Sequence, residues 1–448
     1  MRRWGVEAGI VFVVGLLLVS NTGCLQKMNA PPSPLKAGLN PNELVDIDAE
    51  VDAQHQLDMK DLYLIAEKVR SERKPKVAVP KKNILVLSGG GAYGAFCTGI
   101  LAGWTESGTR PEFDVVTGIS TGAIMAPLAF LGSSRDAQLS TLYTNLRTRD
   151  VFRIKKTLRS LLSDALADNT PLRLKLEENI TPDILREIAA EHAKGRRLYI
   201  GTTELESRRP VIWDMGEIAT RGTLEDLILF RKIILASSAI PGFFSPVRIP
   251  IRVNGITYEE RHIDGGVSNS LFFRPPFVSQ DKRADKTAIS LYDSNVYVLL
   301  AGKLYADAAI VNPRALSIAG SSVSTVIYAQ SRGDLLKLYT ACVLTGMNYK
   351  LSSIPAEFAA PTSSTDFDPV ELSKMYQEGY RLARSGMAFR TTPPGLEKAE
   401  GAFYRSGADL VQVRSNVPQP ISSGPKEPLR FNVLERFGPG ARNNPTSK

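Results

Sequence analysis

With 448 residues, 43% of them hydrophobic, the chain is long enough to bury a sizeable core. Three cysteines are too few for a disulfide framework, and no His/Cys cluster or EF-hand loop asks for an ion, so neither a cofactor nor a metal is expected. The formal net charge is +9, of which Arg2, Arg3 and Glu7 account for +1, leaving +8 beyond residue 23. With no recognition-helix, zinc-finger or RNA-binding pattern beside it, that balance favours anionic membrane surfaces as partners and argues against nucleic acid.

Arg2 and Arg3 precede an apolar run, Ala8 to Val19, which is short of the roughly twenty residues that span a bilayer and reads as a secretory signal over residues 1–23. Cys24, directly after Gly23, looks like a bacterial lipoprotein cleavage site with a diacylated cysteine at the new terminus. Asn21 departs from the leucine usual at such sites, and plain signal cleavage is the alternative. The expectation is export, with a lipid anchor in a bacterial envelope membrane (periplasmic or outer), or otherwise a periplasmic or secreted protein. Residues 24–80 are polar and proline-containing, a tether holding one amphipathic stretch, Leu57 to Val69.

Ile84 to Leu87 is short, apolar and partly β-branched, as a strand buried on both faces would be. Gly89, Gly90 and Gly91 follow, with backbone amides uncovered by side chains, and then a helix with Phe96, Ile100 and Trp104 at i, i+4 spacing. Such a turn suits an anion. Gly89, Gly91 and Gly94 also spell G-x-G-x-x-G, the dinucleotide fingerprint, yet the acid that should close the second strand is missing: Asp114 opens it. What closes that strand is Gly118-Ile119-Ser120-Thr121-Gly122, a G-x-S-x-G between strand and helix, the setting of a nucleophile elbow. Pro127 falls in the second turn of the following helix, where it removes a hydrogen bond and would kink a longer one.

Arg135 to His192 reads as several short helices, carrying Leu139, Leu142 and Leu146 in one and Leu158, Leu161, Leu162 and Leu166 in another. A basic cluster, Arg147, Arg149, Arg153, Lys155, Lys156 and Arg159, sits among them, either a solvated face or an attraction to anionic phospholipid. Strands are expected over Arg197–Glu204 and Pro210–Trp213, then a helix from Thr223 to about Ser237, with Thr223 and Asp226 in a pattern close to a capping box. Phe243 and Phe244 belong either to an acyl cavity or to the core. A hairpin, Val247–Val253 and Thr257–Ile263 turned at Asn254-Gly255, leads to Asp264, Gly265 and Gly266, where the aspartate is either a turn residue or a base. His55 and His192 read as solvated surface residues; His262 is either a strand residue with a satisfied hydrogen bond or the partner of a catalytic serine. Asn295–Leu300 forms another strand, Ala315–Val343 a long helical pattern ending near Gly346, and Pro369–Ser385 a terminal helix with Tyr376, Tyr380 and Leu382 on its apolar positions. Cys97 and Cys342 are expected as buried thiols. Past residue 391 the chain is Pro-, Gly- and Ser-rich, a disordered tail.

Four motifs in this order resemble a bacterial patatin-like phospholipase: Gly89-Gly90-Gly91-Ala92-Tyr93-Gly94, Gly118-Ile119-Ser120-Thr121-Gly122, Ala236-Ser237-Ser238-Ala239-Ile240-Pro241-Gly242-Phe243-Phe244, and Asp264-Gly265-Gly266. The resemblance covers roughly Lys82 to Arg384 and implies an α/β fold: a patatin-like three-layer sandwich with a largely parallel central sheet, a helical insertion and the disordered tail. The hydrolase domain would occupy 81–390, and the tail 391–448. The resemblance further implies hydrolysis of phospholipid or other acyl-ester lipids by a Ser-Asp dyad without histidine, Ser120 as nucleophile and Asp264 as base. The amides around Gly90 and Gly91 would hold the oxyanion. Ser88 and Tyr93 depart from the aspartate and the arginine or lysine that many relatives carry there. Rival readings are a nucleotide-binding protein using the glycine loop and a catalytically idle membrane-associated module.

Overall fold

The computed structural model describes residues 80–155, 164–254, 256–273, 291–307, 315–361 and 363–395, with isolated positions at 64–65, 67–69, 71–72, 311 and 313. The expectations for the signal segment, Cys24, His55, most of the tether, Leu158 to Leu162, Lys156, Arg159 and all of the tail beyond 395 lie outside these residues. The described positions between 64 and 72 are helical, and Leu64 and Ile65 there are exposed.

Strand β1 (Asn83–Leu87) lies within the sheet. Successive strand side chains point to opposite faces, so Leu85 and Leu87 enter one hydrophobic core while Ile84 and Val86 enter another. Around it run β2 (Val115–Gly118), β5 (Arg197–Glu204), β9 (Asn295–Leu299) and β10 (Asn348–Ser352), all parallel in the order β10-β9-β1-β2-β5. Three antiparallel strands complete a mixed, mostly parallel α/β sheet: β6 (Arg209–Asp214), β7 (Val247–Val253) and β8 (Ile256–Asp264). Burial on both faces explains why the parallel strands read as unbroken apolar runs.

One core holds α1 (Gly94–Glu106), α2 (Thr121–Leu131), α8 (Leu224–Ser237) and α10 (Pro369–Arg384); the other is closed by the carboxyl half of α9 (Ala315–Thr345) through Leu335, Leu338, Tyr339, Cys342 and Val343. Cys97 and Cys342 are both buried, in opposite cores, which places the sheet between the two thiols. α2 runs through Pro127 to Leu131. Between α2 and β5 lie α3 (Asp136–Thr144), α4 (Thr148–Val151), the two-stranded β3 (Arg153–Ile154) and β4 (Ala167–Asp168), α5 (Thr170–Asn179) and α6 (Pro182–Ala193). α7 (Met215–Arg221) joins β6 to α8, whose capping box is complete: Thr223 accepts from the Asp226 amide and Asp226 from the Thr223 amide.

On α10 the buried stripe is Leu372, Met375, Gly379 and Ala383, with Leu382 half-buried against the same core as expected, whereas Tyr376 and Tyr380, also expected on apolar positions, lie beside the stripe. The reason is backbone proximity. A Cβ on Gly99 or Gly103 of α1 would stand 2.0 or 2.2 Å from the Tyr376 or Tyr380 carbonyl oxygen, and one on Gly379 would stand 2.3 Å from that of Phe96. The two helices thus touch through glycine, and the tyrosine rings are pushed to the flanks, 6.2 Å apart and stacked.

The position of the site is decided on β5. β6 occupies one edge, pairing Tyr199 through Glu204. The other edge is shared end to end: β2 pairs with its first half, finishing at Gly118 opposite Ile200, and β8 with its second half, finishing at Asp264 opposite Thr202. The carboxyl ends of β2 and β8 therefore meet at Gly201.

Candidate active site

β2 leaves the sheet through an elbow at Ser120, a non-glycine residue with φ 53° and ψ −121°. Such backbone is unfavourable for an L-residue and persists only where its surroundings fix it. Here the Ile119 amide donates to the Leu87 carbonyl at 3.2 Å and the Ser120 amide to Ser237 Oγ at 2.9 Å. Ser237 in turn donates to the Gly201 carbonyl at 2.7 Å, and Ser238 Oγ donates to the Ser120 carbonyl at 3.3 Å. The glycines of the elbow serve close approach: a Cβ on Gly122 would lie 2.4 Å from the Leu87 carbonyl oxygen, and one on Gly118 would lie 2.5 Å from that of Gly122. Ser120 thereby caps α2, its hydroxyl at the positive end of the helix dipole.

From the facing strand end, Asp264 Oδ2 accepts the Ser120 hydroxyl at 2.7 Å. The second oxygen accepts the Gly266 amide at 2.7 Å. The backbone of Asp264 is tied on both sides, its amide donating to the Ala239 carbonyl at 2.9 Å and its carbonyl accepting Thr203 Oγ1 at 3.0 Å. Gly265 packs on the Gly201 carbonyl, where a Cβ would come within 2.5 Å. Burial of the carboxyl raises its pKa to about 6, against the lowering effect of its bonds from Ser120 and Gly266.

The glycine loop lies alongside, with the Cβ direction of Gly89 3.1 Å from the Ser120 Cβ. The Gly89 amide is committed to the Ser270 carbonyl at 3.2 Å, while the amides of Gly90, Gly91 and Thr121 have no acceptor among the described residues. Gly91 (φ 55°) needs the freedom of glycine, since a Cβ there would also meet the Ser364 carbonyl oxygen at 2.1 Å. That carbonyl accepts the Ala92 amide at 2.7 Å. Gly94 starts α1 against Thr121 Oγ1 and the Tyr143 ring. Ser88 bridges the loop to the next strand end, donating to the Gly89 carbonyl and accepting the Ala301 amide, both at 2.8 Å. Tyr93 donates its hydroxyl to the Pro361 carbonyl at 2.6 Å, so Ser88 and Tyr93 both serve as struts of the loop.

His262 is fully buried, with its Nδ1 3.0 Å from Thr202 Oγ1 and its Nε2 3.0 Å from Glu260 Oε2. Neither ring nitrogen bonds Ser120 or Asp264, and burial lowers the imidazole pKa against the raising effect of Glu260. His192, expected in solvent, is half-buried where α6 meets α7, its ring over Gly216 and 3.7 Å from Asp214. Asp114 clamps the opposite end of the sheet, accepting the Asn83 amide and Lys82 Nζ, each at 2.8 Å. Phe244 is core, and with Phe243 and Phe152 it forms a cluster of edge-on rings, centroids 4.8 to 5.8 Å apart. Ser237, Ser238, Ser270 and Asp334 had no role to be expected from sequence; the first two lie in a motif already singled out, whereas Asp334, which accepts the Ser270 amide at 2.8 Å, carries no local signal.

Among the described residues no group of His, Cys, Asp or Glu side chains is placed to hold a metal, and no helix is long and apolar enough to cross a membrane. No curated protein matches the chain. Among solved structures, the crystal structure of VipD from Legionella pneumophila is similar at 12% identity, over 72% of this chain and 70% of that one, with a TM-score of 0.33. The profile of the family described as "Patatin-like phospholipase" matches residues 85–277. That stretch runs from β1 to just beyond Asp264, so the part of the chain that carries the serine elbow and the aspartate is similar to the patatin-like phospholipase family.

Proposed function

We propose that the protein is a lipid acyl hydrolase working through a Ser120–Asp264 dyad. The observation that carries this reading is the 2.7 Å bond from the Ser120 hydroxyl to a buried carboxylate, made from an elbow that holds the serine at φ 53°. Asp264 Oδ2 takes the hydroxyl proton as Ser120 Oγ attacks an ester carbonyl. The oxyanion that forms is bound by the unengaged amides of Gly90, Gly91 and Thr121, where losing one such donor typically costs about 10²–10³-fold in rate. Collapse expels the alcohol, which leaves with the proton from Asp264. A water molecule, deprotonated by the same carboxylate, then releases the fatty acid and restores the serine.

The raised pKa suits a base. A carboxylate of pKa about 6 is still ionised at neutral pH, and it is a stronger proton acceptor than an ordinary aspartate. Histidine has no part in the scheme, because both His262 nitrogens are engaged elsewhere. The chain is exported and anchored through an acylated Cys24 in the same proposal, which keeps the enzyme beside lipid.

A fluorophosphonate probe followed by peptide mapping tests the chemistry. Modification at Ser120 that disappears in Ser120→Ala is the expected result. A folded protein left unmodified, with p-nitrophenyl esters untouched, would return the chain to the idle-module reading.

A further inference from the structure

Amides that bind an oxyanion are useful only when their positions are fixed before the charge forms. Of the three unengaged amides beside Ser120, those of Gly90 and Gly91 precede α1, while that of Thr121 opens α2. The spacing of the two helix starts therefore sets the spacing of the donors. Gly94 is the first residue of α1 and Thr121 the first of α2. Between them lies a side chain from outside both motifs, Tyr143, the last residue but one of α3. A Cβ on Gly94 would stand 2.5 Å from the Tyr143 ring and 2.7 Å from Thr121 Oγ1, so the last glycine of the G-x-G-x-x-G pattern makes room for this contact.

Tyr143 and Thr121 are both buried, and their polar atoms are matched to each other. The phenol donates to the Thr121 carbonyl at 3.0 Å, and its oxygen lies 2.6 Å from Thr121 Oγ1. A phenol has one proton to give. With that proton on the carbonyl, the Thr121 hydroxyl is the donor of the shorter bond. Burial holds the phenol above the usual tyrosine range, so the pair keeps its protons throughout the range in which Asp264 titrates. One oxygen thus grips residue 121 at two points. The peptide unit that carries the Thr121 amide is held at its other end as well, where the Ser120 carbonyl accepts the Ala123 amide at 2.9 Å, the Ile124 amide at 3.2 Å and Ser238 Oγ at 3.3 Å.

We propose that Tyr143 is a positioning residue for the oxyanion donors, a role that deepens the Ser120–Asp264 hydrolase reading and rests on it. Its hydroxyl aims the Thr121 amide at the oxygen of the ester carbonyl under attack. Its ring sets the distance from that amide to those of Gly90 and Gly91. Tyr143 touches no reacting atom and acts through Thr121. A donor whose removal typically costs about 10²–10³-fold loses part of that worth when it is turned or displaced.

Tyr143→Phe keeps the ring and removes the hydroxyl, so it tests the aiming directly. Hydrolysis of a soluble p-nitrophenyl ester by the full chain gives kcat and KM, with active sites counted by fluorophosphonate labelling of Ser120. In the variant kcat per labelled site is expected to fall roughly thirtyfold, with KM within about twofold of wild type, because the donors act on the transition state and not on the bound ester. The rate of Ser120 phosphonylation should fall with it. The midpoint of the pH profile should stay near 6, since the charge on Asp264 is untouched. Tyr143→Phe also leaves the buried Thr121 hydroxyl without an acceptor and should melt earlier than wild type. Adding Thr121→Val removes that hydroxyl, which should restore melting while kcat stays low. The double variant takes over where the single one melts below the assay temperature.

A merely structural tyrosine would lower the melting temperature and the count of active sites, with kcat per labelled Ser120 unchanged. That result would overturn the proposal and leave the hydrolase standing. So would recovery of kcat together with melting in the double variant. A displaced pH midpoint would also overturn it, by assigning Tyr143 to the charge of Asp264. A wild type that hydrolyses no ester and takes no label at Ser120 would sink the hydrolase reading itself, and the positioning role with it.

Discussion

The two turns that meet at Gly201 hold their functional groups under different kinds of tension. On the serine side the tension is geometric: Ser120 sits at φ 53°, and the backbone around it is held by Leu87, Ser237 and Ser238. On the aspartate side the backbone is relaxed, at φ −48° and ψ 130°, and the tension is electrostatic: a carboxylate removed from water with a pKa of about 6. Geometric strain does not respond to protons. Desolvated charge does, so the halves of the dyad should part company when pH is varied.

The largest expected effect tests both halves together. Ser120→Ala and Asp264→Asn should each lower kcat/KM for a soluble ester about 10⁴-fold or more. Their stabilities should diverge. The amide introduced by Asp264→Asn carries no charge to desolvate, so that variant should melt at or above wild type at pH 8. Ser120→Ala takes one of the two hydrogen bonds from a buried carboxylate, so it should be less stable there, by about 1–2 kcal/mol. Ser120→Ala melting above Asp264→Asn at pH 8 would contradict this division of labour.

Next is pH. In the proposed mechanism Asp264 serves as base only when ionised, so kcat/KM should fall about tenfold per unit below pH 6. Its contribution to stability runs the other way. A carboxyl whose folded pKa lies above its unfolded value of 3.8 favours the folded state progressively as pH drops from about 6 to about 4, and it is constant outside that window. The difference in melting between wild type and Asp264→Asn across pH 8 to 4 isolates this group, and a difference that ignores pH would remove the electrostatic account.

A smaller effect comes from Ser237→Ala. It strips the acceptor from the Ser120 amide and the donor from the Gly201 carbonyl, both buried, at a cost of about 1–3 kcal/mol in stability. Turnover should drop roughly tenfold with the shape of the pH profile unchanged, because Ser237 acts on geometry alone. A shifted profile would show that it acts on the charge instead.

The smallest change in turnover is expected for His262→Asn. Stability should fall by about 1–3 kcal/mol as Thr202 and Glu260 lose their common partner, while kcat/KM stays within about threefold of wild type. A loss comparable to that of Ser120→Ala in a folded protein would bring histidine back into the mechanism.

Local chemistry made much of this legible. Apolar runs marked β1 and β9, Thr223 and Asp226 marked the start of α8, and Asn254 marked the turn between β7 and β8. The contact between Ser120 and Asp264 joins two motifs whose residue types already suggested proton transfer. What stayed hidden are contacts between residues that carry no pattern of their own. Asp334 reads as an ordinary charge in a long helix, yet it holds Ser270, which holds the Gly89 amide. Gly99, Gly103 and Gly379 read as weak points in helices, and they are the surface where α1 and α10 touch. On α10 the eye follows the aromatic residues, whereas close backbone approach rewards the smallest.

The shared edge of β5 also bears on timing. Ser120 and Asp264 are separated by 144 residues along the chain and joined only where two strands end against a third. Synthesis completes the elbow and its supports Leu87, Ser237 and Ser238 while β8 has yet to be made, whereas the glycine loop still waits for Ser270, Ala301 and Pro361. A nascent or nicked chain can thus hold a fully formed nucleophile turn and still lack a base. Closing so long a loop is among the slower events of folding. Competence for the proposed chemistry therefore waits for segments made after the elbow, among them the pairing of Ile263 and Asp264 with Thr203 and Thr202, and a cut within β8 would abolish it while leaving Leu87, Ser237 and Ser238 to hold the serine turn.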